Sequence, residues 1–140
     1  MDWPTFNDYI TRFNNQDLTA FDDYLYPDTH MLNGTLEILG SGGMQEHYRL
    51  IWSQFTEELH IERFVSDEDT AAIQMWAHFT AVADNEASLF GPVRAGETFD
   101  FRGLIMYQIV DGRFTDIKVA YNTFTFTDSA GTVTSLGIPH

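Results

Sequence analysis

TFDFRGLIMYQIVDGRFTDIKVAYNTFTF, residues 98–126, decides the fold. Two long runs alternate apolar and polar side chains at period two. Asp111-Gly112 stands between them, and a two-residue Asp-Gly turn between alternating runs is a strong hairpin signal. Upstream, ELHIERFV (58–65) and TAAIQMWAHFTAV (70–82) read as two further strands, joined through the turn SDED. In AAIQMWAHFTAV (71–82) one face would be Ile73, Met75, Ala77 and Phe79, and the other Gln74, Trp76, His78 and Thr80. A half-exposed strand should set apolar against charged residues. Neither face fits, so the Trp76–His78 face looks into a ligand pocket or onto another protein surface.

The first third of the chain has the helical period instead. In WPTFNDYITRF (3–13), Pro4 sits in the first turn, where its missing N–H is harmless, and Phe6, Tyr9, Ile10 and Phe13 share one stripe. DLTAFDDYL (17–25) is a short second helix with Asp17 as the expected N-cap. THMLNG and TLEIL form a brief pair of strands. GSGGMQEHYRLIWSQF (40–55) is a third helix, with Ser41 as its expected cap and Met44, Tyr48, Ile51, Trp52 and Phe55 along one side. Its glycines lack the following Lys-Ser or Lys-Thr of a phosphate loop. ADNEASLFGPVRAGE (83–97) reads as the one long loop and DSAGTVTSLGIPH (128–140) as a tail. Helices followed by a meander of long strands is an α+β layout, expected to form one domain over residues 1–140. A sheet apolar on both faces must be covered twice; the helices cover one face, and a second copy in a homodimer is the economical cover for the other.

Composition narrows the partners. Twenty-one acidic against 7 basic residues give a formal net charge of -14, which argues against nucleic acid and anionic membranes as partners. With no cysteine, disulfides and thiolate chemistry are excluded. MDWPTFNDYI lacks the basic and apolar regions of a signal peptide, and no stretch approaches the roughly 18 apolar residues of a membrane span. A cytoplasmic protein is expected. The five histidines are dispersed with no His-x-x-x-His on a helix, so neither a metal nor another cofactor is expected.

YITRFNNQDLTAFDDYLYPD, GSGGMQEHYRLIWSQF, RGLIMYQIVDGRFTDIKVAYNTF and the later SLG together resemble the nuclear transport factor 2-like superfamily, which includes ketosteroid isomerases, limonene-epoxide hydrolases, scytalone dehydratases and small polyketide cyclases. The resemblance implies a curved antiparallel β-sheet wrapped around a pocket by three N-terminal helices. It places Tyr9 at the oxyanion-binding tyrosine of ketosteroid isomerases, but their carboxylate slots read Asn33-Gly34 and Ile105. Asn33 fits the first-strand asparagine of the epoxide hydrolases, whose Arg-x-Asp pair is replaced by Trp76-x-His78. Their final-strand aspartate, like the acid of many polyketide cyclases, matches Asn122, which cannot take a proton at neutral pH. The dehydratases use pocket histidines; His60 lies on a strand matching one of their histidine-bearing strands and His78 on the next, although their spacing is not reproduced.

His78 is therefore the expected general base, with Tyr9 or Asn122 steadying an oxyanion. Asn33, His47, Trp76, Tyr107 and Trp52 are the expected substrate-binding residues. On this reading the chain is a cofactor-independent enzyme that isomerises, cyclises or dehydrates a hydrophobic, oxygen-bearing small molecule by proton transfer. The rival reading, favoured by the missing carboxylates, is a non-catalytic binding or interaction domain that keeps the cavity.

Overall fold

The computed structural model describes residues 1–137. Helix α1 (Trp3–Asn14) opens with the Asp2 side chain accepting from the Thr5 N–H, and buries Phe6, Tyr9, Ile10 and Phe13. That is the stripe expected from the sequence, at the spacing that puts one helix face on a core. Helix α2 (Thr19–Tyr24) starts with Leu18 at its cap position. Asp17 lies one residue earlier than a capping residue should, yet its Oδ1 still accepts from the Thr19 N–H at 3.0 Å. Helix α3 (Gly40–Gln54) begins before Ser41 and has no side-chain cap. Gly40 takes φ +78° there, and a Cβ at this position would collide with the carbonyl oxygen of Pro27, so the tight passage into the helix requires glycine.

The strands are β1 (Leu25–Asn33), β2 (Leu36–Leu39), β3 (Phe55–Ser66), β4 (Thr70–Ala81), β7 (Thr98–Val110), β8 (Arg113–Thr127) and β9 (Val133–Ser135), in one sheet of order β2-β1-β8-β7-β4-β3 with β9 paired to β8. The pairs are antiparallel except β1 with β8, which run parallel. The Asp111-Gly112 turn joins β7 to β8 with Val110 opposite Arg113, both turn residues at positive φ. This is the twist a two-residue hairpin needs.

Two expectations about connections change. Residues 83–97 are not a plain loop: β5 (Asn85–Ser88) and β6 (Gly91–Val93) form a small hairpin, with Leu89 and Phe90 at its tip. The tail contributes β9. No helix among the described residues is long and apolar enough to cross a membrane.

Two of the register shifts change which side chains face each side of the sheet. In β7–β8 the pairing steps from Arg102↔Thr123 to Gly103↔Tyr121, leaving Asn122 as the extra residue of a bulge. Gly103 makes the crossing possible, because a Cβ there would overlap the backbone of Ala120 and Tyr121. In β3–β4 the step from Ile61↔Met75 to Arg63↔Gln74 leaves Glu62 as the extra residue. Between the helices and the inner face of the sheet lies a core rich in aromatic rings, with Phe6, Phe21, Phe55 and Phe114 fully buried.

Candidate active site

Helices α1 and α3, the inner face of the sheet and the β5–β6 hairpin enclose a cavity of about 280 Å³. Its floor is the inward residues Met75, Ala77 and Phe79 of β4, with Phe101, Ile105 and Tyr107 of β7 beside them. Leu89 and Phe90 cover one side. The Phe90 ring packs against those of Phe55, Phe79, Phe99, Phe101 and Phe124 at 5.0–5.8 Å between centroids. No lysine or arginine among the described residues lines the cavity.

One carboxylate does. Glu57 follows α3 on β3, in phase with Phe55 and Leu59, and is only 8% exposed. Its Oε1 accepts a hydrogen bond of 3.1 Å from the indole Nε1 of Trp52, and Oε2 has no partner among the described residues. Removing a carboxylate from water disfavours its charge. Burial pushes the Glu57 carboxyl up to about 8, with the Trp52 N–H offsetting part of that rise. Asp and Glu are almost never this buried without an ionic partner, so Glu57 is the most unusual residue of the cavity.

Tyr9, Tyr48, Tyr107 and Tyr121 line the same cavity. Burial, and then the Glu57 charge, raise the Tyr9 phenol above its ordinary value; Tyr48 is raised by the same two causes. Tyr107 is raised by burial and by Tyr9. Burial also raises Tyr121, although Asn33 opposes it by donating from Nδ2 to the Tyr121 oxygen at 2.6 Å. These phenols stay protonated and serve as donors at neutral pH. With its lone pair taken by Asn33, Tyr121 is left to donate its own proton. His47 on α3 lines the same cavity, and burial lowers its pKa, which keeps it neutral at pH 7.

Of the expected residues, Tyr9, Asn33, His47 and Tyr107 converge on this cavity. Trp52 does not line it but holds Glu57 from behind. His78, Trp76 and Asn122 lie elsewhere, and the expectation that they face the pocket is corrected. The β4 pleat turns Met75, Ala77 and Phe79 inward, so Trp76 and His78 must point outward. There His78 Nδ1 and Trp76 Nε1 share Asp100 Oδ1 at 2.6 and 2.7 Å. His60 stacks on Trp76 with centroids 4.5 Å apart, and the Arg102 guanidinium lies 4.5 Å from the Trp76 ring while pairing with Glu62. Asn122 is exposed in its bulge, and the side chain delivered to the cavity is Tyr121. Glu57 and Tyr121 are the residues the sequence reading missed. The signal for Glu57 is its phase with Phe55 and Leu59, on a strand that begins three residues before Glu58. No group of three or more His, Asp or Glu placed to hold a metal occurs among the described residues.

The chain is similar in structure to a SnoaL-like polyketide cyclase from Agrobacterium tumefaciens (13% identity, TM-score 0.66, 91% of each chain covered). It is also similar to an LEH-like epoxide hydrolase from M. tuberculosis (18% identity, TM-score 0.67, covering 85% of this chain and 80% of that one). A third is TsrD from Streptomyces laurentii (22% identity, TM-score 0.69, covering 87% and 91%). At these identities the likeness is one of fold. No curated protein matches the sequence. The SnoaL-like domain profile matches residues 6–117, which takes in most of α1, the cavity carboxylate and the Asp-Gly turn: the chain belongs to the SnoaL-like domain family of the nuclear transport factor 2-like superfamily.

Proposed function

We propose that the protein is a cofactor-independent enzyme that moves a proton on a hydrophobic, oxygen-bearing small molecule, with Glu57 as the acid–base group. The observation that carries this is the Glu57 carboxyl, held in an apolar cavity with one hydrogen-bond donor. A carboxyl tuned to about 8 is close to the operating pH, where general acid–base catalysis is most effective. About a tenth of the population is ionised at pH 7 and supplies the base, while the rest supplies the acid.

For a carbonyl substrate the ionised Oε2 of Glu57 takes a proton from the carbon next to the carbonyl. The electron pair of that C–H bond moves onto the carbonyl oxygen, which accepts hydrogen bonds from the tyrosine hydroxyls of the cavity. Tyr9 and Tyr121 are the assigned donors, and Asn33 orients the second. Return of the proton from Glu57 to another carbon completes an isomerisation; attack of the enolate carbon on a second carbonyl would give cyclisation. Donors held in place by the fold stabilise the developing charge without reorganising. His78, outside the cavity, has no role in this scheme.

The test is α-proton exchange of 2-tetralone in D2O, followed by NMR. Wild type is expected to accelerate exchange, and Glu57→Gln to lose about 10²–10⁴-fold of that acceleration. Binding of the ketone without exchange above the buffer rate would refute the enzyme and leave the non-catalytic binder. That second reading rests on the single carboxylate, where proton-transfer sites of this superfamily are expected to have more.

A further inference from the structure

The cavity that receives a neutral ketone in the proposed reaction has the features of a cation site as well. Among the described residues Glu57 is its only acidic side chain and leaves Oε2 without a partner, no lysine or arginine lines the walls, and the one histidine there, His47, is kept neutral by burial. Aromatic rings line the same space as the carboxyl: Tyr9 and Phe13 from α1, Tyr48 from α3, and Tyr121 from β8. Ring faces carry negative electrostatic potential and attract organic cations, more strongly where water is excluded. A chain with a formal net charge of -14 also draws cations towards its clefts.

We infer that this cavity binds hydrophobic amines in their protonated form, the ammonium pairing with Glu57 among the rings of Tyr9, Phe13, Tyr48 and Tyr121. The apolar remainder of the ligand lies over Met75, Ala77 and Phe79. Such an amine blocks the carboxyl that the proposed reaction uses, yet its binding needs only the cavity and Glu57, not the reaction.

The ion pair forces a proton off Glu57. The titratable groups that share the cavity with that carboxyl are the Tyr9 phenol from α1, Tyr48 and His47 from α3, Tyr107 from β7 and Tyr121 from β8, and Trp52 donates to it. Burial raises the tyrosines and lowers His47, so none of them exchanges a proton near pH 7 to 8.5. With Glu57 at about 8, amine binding releases about 0.9 proton at pH 7 and about 0.2 at pH 8.5. A primary amine remains protonated over most of that range. Affinity for it rises by close to tenfold from pH 6 to pH 7 and levels off above pH 8.

The experiment is isothermal titration calorimetry of the full chain with 2-aminoindane and its uncharged counterpart 2-indanol. Each titration is repeated in two buffers of different ionisation enthalpy, which counts the protons released. Wild type is expected to bind 2-aminoindane at least tenfold tighter than 2-indanol at pH 8, with the proton counts above. Glu57→Gln keeps the volume and the Trp52 hydrogen bond. It is expected to lose at least tenfold in amine affinity, to release no proton, and to bind 2-indanol within about threefold of wild type, which also reports that it is folded. No amine binding, a heat independent of buffer at pH 7, or amine affinity unchanged in Glu57→Gln would each overturn the inference. Failure of ketone exchange with amine binding intact would count against the proposed reaction alone.

Discussion

Glu57→Gln should stabilise the protein at neutral and alkaline pH, and the gain should grow with pH in a way fixed by the cavity. An ordinary glutamate, as in the unfolded chain, titrates near 4.5, whereas burial lifts the folded carboxyl to about 8. Between those values the folded state holds one proton more than the unfolded state, so stability falls by about 1.4 kcal/mol for each pH unit. The penalty is absent below pH 4.5, reaches about 3 kcal/mol at pH 7, and is complete at about 5 kcal/mol above pH 8. Glutamine is neutral throughout and still accepts from Trp52. Urea or thermal unfolding of both proteins from pH 5 to 9 measures the difference. Effects of the other acidic residues cancel in the comparison. The two should agree within about 1 kcal/mol near pH 5 and separate by about 3 kcal/mol at pH 7, a shift in Tm of about 10 °C for a chain of this length. A difference that does not change with pH, or a Gln variant less stable at pH 9, would refute the buried, raised carboxyl on which the mechanism stands.

Gly103→Ala should destabilise by about 3 kcal/mol, the upper end for a small overpacking, because its Cβ meets the backbone of β8 rather than a side chain that could move; a chemical melt within 0.5 kcal/mol of wild type, roughly the scatter of surface substitutions, would refute the close crossing. His78→Ala should leave 2-tetralone exchange within about twofold of wild type, whereas a fall of about a hundredfold would restore it as the base. We propose that a second copy covers the outer face of the sheet, where Val65, Leu104 and Met106 are more than half exposed beside Ala72 and Ala120. Sedimentation should then give twice the 16.0 kDa chain mass, and Leu104→Asp with Met106→Asp should halve it; a wild-type monomer at micromolar concentration would refute the dimer.

Where local chemistry sets the structure, the sequence was legible. Asp111-Gly112 specifies its turn through positive φ, and the α1 stripe specifies its buried face. The bounds of β7 coincide with the run TFDFRGLIMYQIV. The difficulty came where one residue changes the phase of a strand. The bulge at Asn122 follows from a backbone crossing at Gly103 that pairs residues from different strands, and alternation within β8 alone carries no sign of it. Counting to Asn122 therefore lands one residue beyond Tyr121, the side chain that reaches the cavity. The outer face of β4 misled for another reason: Trp76 and His78 are amphipathic, and a cluster with Asp100, Arg102 and His60 satisfies them outside as well as a ligand could inside. Glu57 is hard to read from sequence because an acidic residue beside another at Glu58 looks like surface, although only Glu57 shares the phase of Phe55 and Leu59.

The hydrogen bond from Trp52 to Glu57 has an optical consequence. Indole emission depends on the charge next to its nitrogen, so the fluorescence of Trp52 becomes a built-in indicator of whether the cavity carboxyl holds its proton. The other two tryptophans are separate from it: Trp3 is exposed at the start of α1, and the Trp76 nitrogen is bonded to Asp100 on the opposite side of the sheet. With Trp3 and Trp76 replaced by phenylalanine, the remaining emission follows the ionisation of one carboxyl in real time, without a label or a known substrate.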